Sequence, residues 1–137
     1  MPATIHLVHC VVCDDVRIEI LQKETIVGVY TAGFIVPALP WAAMLCFWMT
    51  VMWSGDGKLP IQVRVLNPRQ AEVAIQRDIG TATLQGLQST LTFRGIFVTF
   101  EMEGMYTFQW KAGSGEWETM RQLPVYLFRD QNQLTAS

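Results

Sequence analysis

The densest group of reactive side chains falls within the first fifteen residues: His6, His9, Cys10, Cys13, Asp14 and Asp15. Read as His-x2-His-Cys-x2-Cys, the group holds four potential zinc ligands. The residues around it, Ile5 to Cys13, are rich in Val, Leu and Ile and predict a strand. On a regular strand, positions three apart point to opposite faces. That sets His6 against His9 and Cys10 against Cys13, and Val11-Val12 offers no glycine for a sharp turn. The cysteines therefore read as small, soft core residues, with no metal and no other cofactor expected. A redox Cys-x-x-Cys wants a helix N-terminus to lower the thiol pKa, and no helix is predicted after Cys13. The His6–Cys10 and His9–Cys13 pairs, four apart on a strand, are separated by about 13 Å, beyond hydrogen-bond reach. The sequence contains no Gly-x-Ser-x-Gly elbow, phosphate loop, dinucleotide fingerprint or calcium loop. No catalytic residue is assigned, and the expectation is a protein that is not an enzyme.

Asp14, Asp15, Arg17 and Glu19 form the only charged group in the first half and are candidate binding residues. Asp14-Asp15 reads as a turn or bulge between two strands, because Asp hydrogen-bonds nearby backbone in such places. Arg17 would neutralise it, and Arg17 and Glu19 share a strand face and could pair. With His6 and His9, the two Asp residues and Arg17 also define an alternative reading: a small-ligand or metal-binding region. Trp41 and Trp117 complete the candidate binding set. Trp41 follows Pro40 in an uncharged loop, and Trp117 stands between Glu116 and Glu118 beside a glycine-rich turn. Exposed Trp and Met suit a protein interface. Trp48 is the candidate for a buried strand tryptophan.

The elements that must position these residues repeat with a period of two. Arg17 to Leu21 and Thr25 to Tyr30 are joined by the polar Gln22-Lys23-Glu24, as in a hairpin. Pro37 and Pro40 mark an irregular connection. Leu45 to Trp53 places Leu45, Phe47, Met49, Val51 and Trp53 on one face. Ser54-Gly55-Asp56-Gly57 turns the chain. Pro60 to Leu66 sets Ile61, Val63 and Val65 against Gln62 and Arg64. Glu72 to Gln76 continues the alternation, and Arg77 to Ser89 reads as loop plus a short edge strand. Ile96, Val98, Phe100 and Met102 then alternate with Phe97, Thr99 and Glu101. Tyr106, Phe108 and Trp110 follow a Glu103-Gly104 turn, and Trp117 to Phe128 forms the last strand. Residues Asp130 to Ser137 are expected to fray. Seven to nine strands and no helix predict one all-β domain over residues 1–137. Its expected form is an antiparallel β-sandwich of immunoglobulin-like or similar Greek-key topology. Gly104-Met105-Tyr106-Thr107-Phe108 matches the placement of a tyrosine corner, and Phe108 stands where an immunoglobulin domain carries its second core Cys.

Composition narrows the partners. Of 137 residues, half are hydrophobic and 16% charged, with net charge −2. Disorder is excluded, and apolar surface is left for a partner. The ten Lys and Arg are scattered, which argues against nucleic acid and against a polybasic membrane anchor. The stretch from Ile26 to Gly55 carries no charge, but Gly28, Gly33, Pro37 and Pro40 break it, so no membrane span is expected. Three cysteines and no basic leader predict a reducing cytoplasm.

Cys13-Asp14-Asp15-Val16-Arg17-Ile18-Glu19, then Gly28-Val29-Tyr30, and later Gly104-Met105-Tyr106-Thr107-Phe108 with Leu123-Pro124-Val125-Tyr126-Leu127, resemble an uncharacterised bacterial family. Its members are short β-rich proteins with a Cys-Asp-Asp-x-Arg-x-Glu segment near the start. The resemblance implies a bacterial, cytoplasmic, β-rich protein and transfers no activity. The resulting expectation is a non-enzymatic protein-interaction or self-association module, with a protein partner or a second copy of itself.

Overall fold

The structure is a computed structural model and describes residues 4–20, 23–54, 58–76, 81–83 and 88–129. Among the described residues ten strands run in chain order: β1 (Thr4–Ile18), β2 (Glu24–Val29), β3 (Phe34–Val36), β4 (Trp41–Ser54), β5 (Lys58–Leu66), β6 (Glu72–Gln76), β7 (Thr81–Thr83), β8 (Gln88–Phe100), β9 (Gly104–Ala112) and β10 (Glu118–Leu127). No α-helix occurs among the described residues. The expected fraying of 130–137 and the Gly55–Gly57 turn lie outside them.

The strands form two curled, half-barrel sheets. One has the order β2-β1-β4-β8, and the other β3-β10-β9-β5-β6, with β7 beside β5. Among the described residues pairing is antiparallel except between β3 and β10, where Phe34, Ile35 and Val36 run parallel to Val125, Tyr126 and Leu127. That corrects the all-antiparallel expectation. Three residues of β3 align beside the last strand, and so short a segment carries no pattern of its own. The strand count also exceeds seven to nine, because β3 and β7 are each only three residues long.

Alternating apolar residues build the core between the sheets. From β4, Leu45, Phe47, Met49 and Val51 are fully buried; Ile61, Val63 and Val65 of β5 meet Tyr106, Phe108 and Trp110 of β9. Aromatic pairs join the two sheets: Phe47 with Phe108 at 5.6 Å, Phe100 with Tyr106 at 5.0 Å and Phe34 with Phe100 at 4.9 Å between centroids. The first two are edge-to-face, an arrangement that aromatic quadrupoles favour. The Tyr106 hydroxyl donates to the Met102 carbonyl at 2.9 Å, the bond expected of a tyrosine corner. After β5, Asn67 holds the turn: its side-chain oxygen accepts from the Arg69 and Ala71 amides at 2.9 and 3.0 Å.

Two bulges reset which face each residue takes. In β1, Leu7 pairs with Val51 but His9 with Thr50, so Val8 is an extra residue and is exposed. In β8, Ile96 pairs with Leu45 but Phe93 with Phe47, with Gly95 at φ 68° supplying the left-handed turn of the bulge. Each inserted residue reverses the alternation beyond it.

Candidate interaction surface

β1 positions most of the chemically interesting residues, and it does so differently from a regular strand. The Val8 bulge puts His6 and His9 on the same outward face, opposite Met52 and Thr50 of β4. The expectation that they oppose each other is therefore corrected. Cys10 turns into the main core, while Cys13 faces outward. His9 meets Trp48 edge-on, with centroids 6.4 Å apart. Among the described residues, no group of three or more His, Cys, Asp or Glu is placed to hold a metal ion. His6 and His9 lie eight and five positions from Asp14, roughly 25 and 16 Å along an extended strand, so the histidines and the Asp pair are not one site.

Asp14 and Asp15 do not form a turn between strands. They lie inside β1, where it passes from β4 to β2: Cys13 is opposite both Cys46 and Val29, and Asp15 is opposite Val27. Pairing on either side keeps the chain extended there. Asp14 accepts a short hydrogen bond from the Tyr30 hydroxyl. Its carboxylate occupies the space a Cβ on Gly28 would need, and Gly28 has φ 68°. The Cys-Asp-Asp and Gly-x-Tyr segments are thus two sides of one hairpin. Asp15 accepts from the Val16 amide at 2.8 Å and pairs with Arg17 at 3.7 Å. Both side chains are about half exposed or more, so this pair contributes little stability. Glu19 lies beyond β1, where its amide donates to the Lys23 carbonyl at 2.6 Å; the expected Arg17–Glu19 pair is replaced by Arg17–Asp15.

The tryptophans divide by environment. Trp48 is not the core tryptophan: it lies half-buried on the outer face of its sheet, where its indole N–H donates to Glu24 at 3.2 Å. Among the tryptophans whose side chains are described, the buried one is Trp110. Trp117 is half-buried beneath the Arg64 guanidinium, 4.2 Å from its ring, with Lys111 at 5.1 Å. Arg64 is fixed in turn by the Gln109 side chain at 2.8 Å and by Glu72 at 3.9 Å. Trp41 opens β4 opposite Phe100 rather than sitting in a loop, and remains exposed.

The apolar surface lies elsewhere. At the β3–β10 rim, Ile35, Tyr126 and Phe128 are 70%, 55% and 64% exposed. Together with Leu127 and Arg129 they line a groove of about 300 Å³. Arg129 is paired with Glu103 at 3.5 Å, and the same Glu103 oxygen accepts from the Leu127 amide at 2.7 Å. On the other sheet, Met44 and Phe97 stand opposite each other, both exposed. A cleft of about 590 Å³ lies beside the β1–β2 tip, lined by Ile18, Glu24, Thr90, Thr92 and Arg94. Sequence reasoning missed Ile35, Tyr126 and Phe128. The available signal was Tyr126 and Phe128, two large apolar residues at successive outward positions beside the inward Val125 and Leu127.

Compared with protein-family models and with curated proteins, the chain matches none.

Proposed function

We propose that this protein is a non-enzymatic interaction module that self-associates through the β3–β10 rim. The observation that carries this reading is the trio Ile35, Tyr126 and Phe128, three large apolar side chains exposed around one groove. Monomeric surfaces rarely leave such groups together without use. A second copy is the preferred occupant because Arg129, the one cation of the groove among the described residues, is neutralised by Glu103. A two-fold contact sets a patch against itself, so an unpaired charge there would meet its like. The resemblance to the bacterial family, with its cytoplasmic setting, belongs to the same reading.

The finer fold assignment, an immunoglobulin-like Greek-key sandwich, is also our reading. It is supported by the Tyr106–Met102 bond at the start of β9. It is supported too by Phe47 and Phe108 in contact where such domains carry their inter-sheet disulfide.

Native mass spectrometry of the wild-type chain and of Tyr126→Glu tests the functional reading. A wild-type dimer that the substitution turns into a monomer supports it. A wild-type monomer at tens of micromolar (roughly the range of weak, transient contacts) counts against it.

A further inference from the structure

Cys13 and Cys46 are directly opposite each other in the β1–β4 register. Both are buried, in a small cluster with Val16 on the outer side of the sheet, flanked by Val11, Ile26 and Trp48. The Cys13 thiol lies 3.6 Å from the Cys46 carbonyl oxygen, and the Cys46 thiol 3.5 Å from the Asp14 carbonyl oxygen. Cys10 points the other way, into the main core. The chain therefore carries three thiols, and the fold brings only two of them to one side of one sheet.

We propose that Cys13 and Cys46 form an oxidation site that closes to a cross-strand disulfide, and that the sequence-adjacent Cys10–Cys13 pair does not. Opposed residues of an antiparallel pair have Cα atoms about 4.5–5.5 Å apart, within the range of about 4.4–6.8 Å that a disulfide spans. Their Cβ atoms need to approach by about 1 Å at most to reach bonding separation. Cys10 and Cys13 lie on opposite faces of β1 and cannot meet without unfolding the strand.

The oxidant is a small peroxide. When the cluster opens to solvent one thiol gives up its proton and the thiolate attacks one peroxide oxygen; the O–O bond breaks, the other oxygen leaves as hydroxide and takes up a proton to become water, and a sulfenic acid remains. The second thiol then displaces the sulfenic hydroxyl, giving the S–S bond and a second water. Two thiols are oxidised by two electrons, and one peroxide is reduced. Val11, Ile26 and Trp48 cover the cluster. Arg94 reaches from β8 to donate to the carbonyl of Val16, the third buried residue of the cluster, at 2.6 Å. Loss of that bond would loosen the cluster on its β1 side.

The test is treatment of the folded, full-length chain with hydrogen peroxide, followed by intact mass and by peptide mapping without reduction. The expected result is the loss of two hydrogens and a single cross-link joining the Cys13 and Cys46 peptides. Cys10→Ala should leave that cross-link unchanged, and Arg94→Gln should speed its formation several-fold. A Cys10–Cys13 link, disulfides between chains, or sulfinic acid without a cross-link would each overturn the proposal. Mapping on the wild-type chain decides the pairing even if a variant folds poorly.

Discussion

The rings of Phe47 and Phe108 meet edge-to-face, 5.6 Å apart, and are among the contacts that join the two sheets. Both side chains are fully buried. Truncating either to Ala should cost about 3–5 kcal/mol. In a double-mutant cycle the two losses should fall short of additivity by about 0.5–1.5 kcal/mol, the size of an aromatic pair's own coupling. Urea unfolding of the four variants measures this. Strict additivity would mean that the rings share a core without interacting.

The Tyr106 hydroxyl donates to the Met102 carbonyl at 2.9 Å and accepts from the Met102 amide at 3.5 Å, on a ring that is otherwise buried. Tyr106→Phe preserves the ring and leaves that carbonyl with one partner fewer. A loss of about 1 kcal/mol is expected. The loss should fall on the Met102–Gly104 bend, so hydrogen exchange of amides there should rise while β4 amides stay protected. Unchanged exchange at the bend would show that the corner holds without the hydroxyl.

Local pattern made the inner faces of β4, β5, β9 and β10 legible, because a strand that buries one face must alternate. It also marked Tyr106, whose glycine-turn context fixes its role. The outward residues of β1 were harder. A bulge at Val8 adds one residue with no glycine or proline to announce it, and it turns His9 and Cys10 over together. Trp48 was misplaced for a related reason: both faces of β4 are apolar, so hydrophobicity alone does not say which one meets the second sheet. The partner exchange at Cys13 and the parallel seat of β3 depend on segments far apart in the chain, which no short window contains.

Gly28 is held at φ 68°, with the Asp14 side chain where its Cβ would be. Gly28→Ala should therefore cost at least about 1–2 kcal/mol, from the left-handed backbone alone. The collision adds to this, and it should be relieved in the Asp14→Ala background. Thermal melts of the two single variants and the double variant separate the parts. If Gly28→Ala costs the same with and without the Asp14 carboxylate, the two residues do not contact as described.

Trp110 carries a buried indole N–H with no hydrogen-bond partner among the described residues. An unsatisfied buried donor costs about 1–3 kcal/mol. Trp110→Phe removes that donor and keeps most of the apolar bulk, so it should change stability by less than about 1 kcal/mol. Trp110→Ala opens a cavity and should cost about 3–5 kcal/mol. A Phe variant as damaged as the Ala variant would point to a bond that the N–H makes in solution.

Alkaline pH should destabilise the fold through three acids that are harder to ionise folded than unfolded. Burial pushes the Cys10 thiol up to about 12 and the Cys13 thiol up to about 11, from an ordinary value of 9.0. Tyr30 rises from 10.0 to about 12, first because of burial and then because its hydroxyl donates to the Asp14 carboxylate. In each case the native chain keeps a proton that the unfolded chain releases, so stability falls wherever the unfolded state binds fewer protons. The contribution is complete below pH 9.0 and is lost as pH rises through the window up to about 12. Urea midpoints under reductant should therefore be level from pH 7 to about 8.5 and fall beyond it. Tyr30→Phe should flatten the part of the fall above pH 10.0, where the phenol begins to ionise in the unfolded chain. Cys10→Ala should flatten its onset. A midpoint that stays level to pH 11 would mean that these groups titrate in the native chain as they do in water.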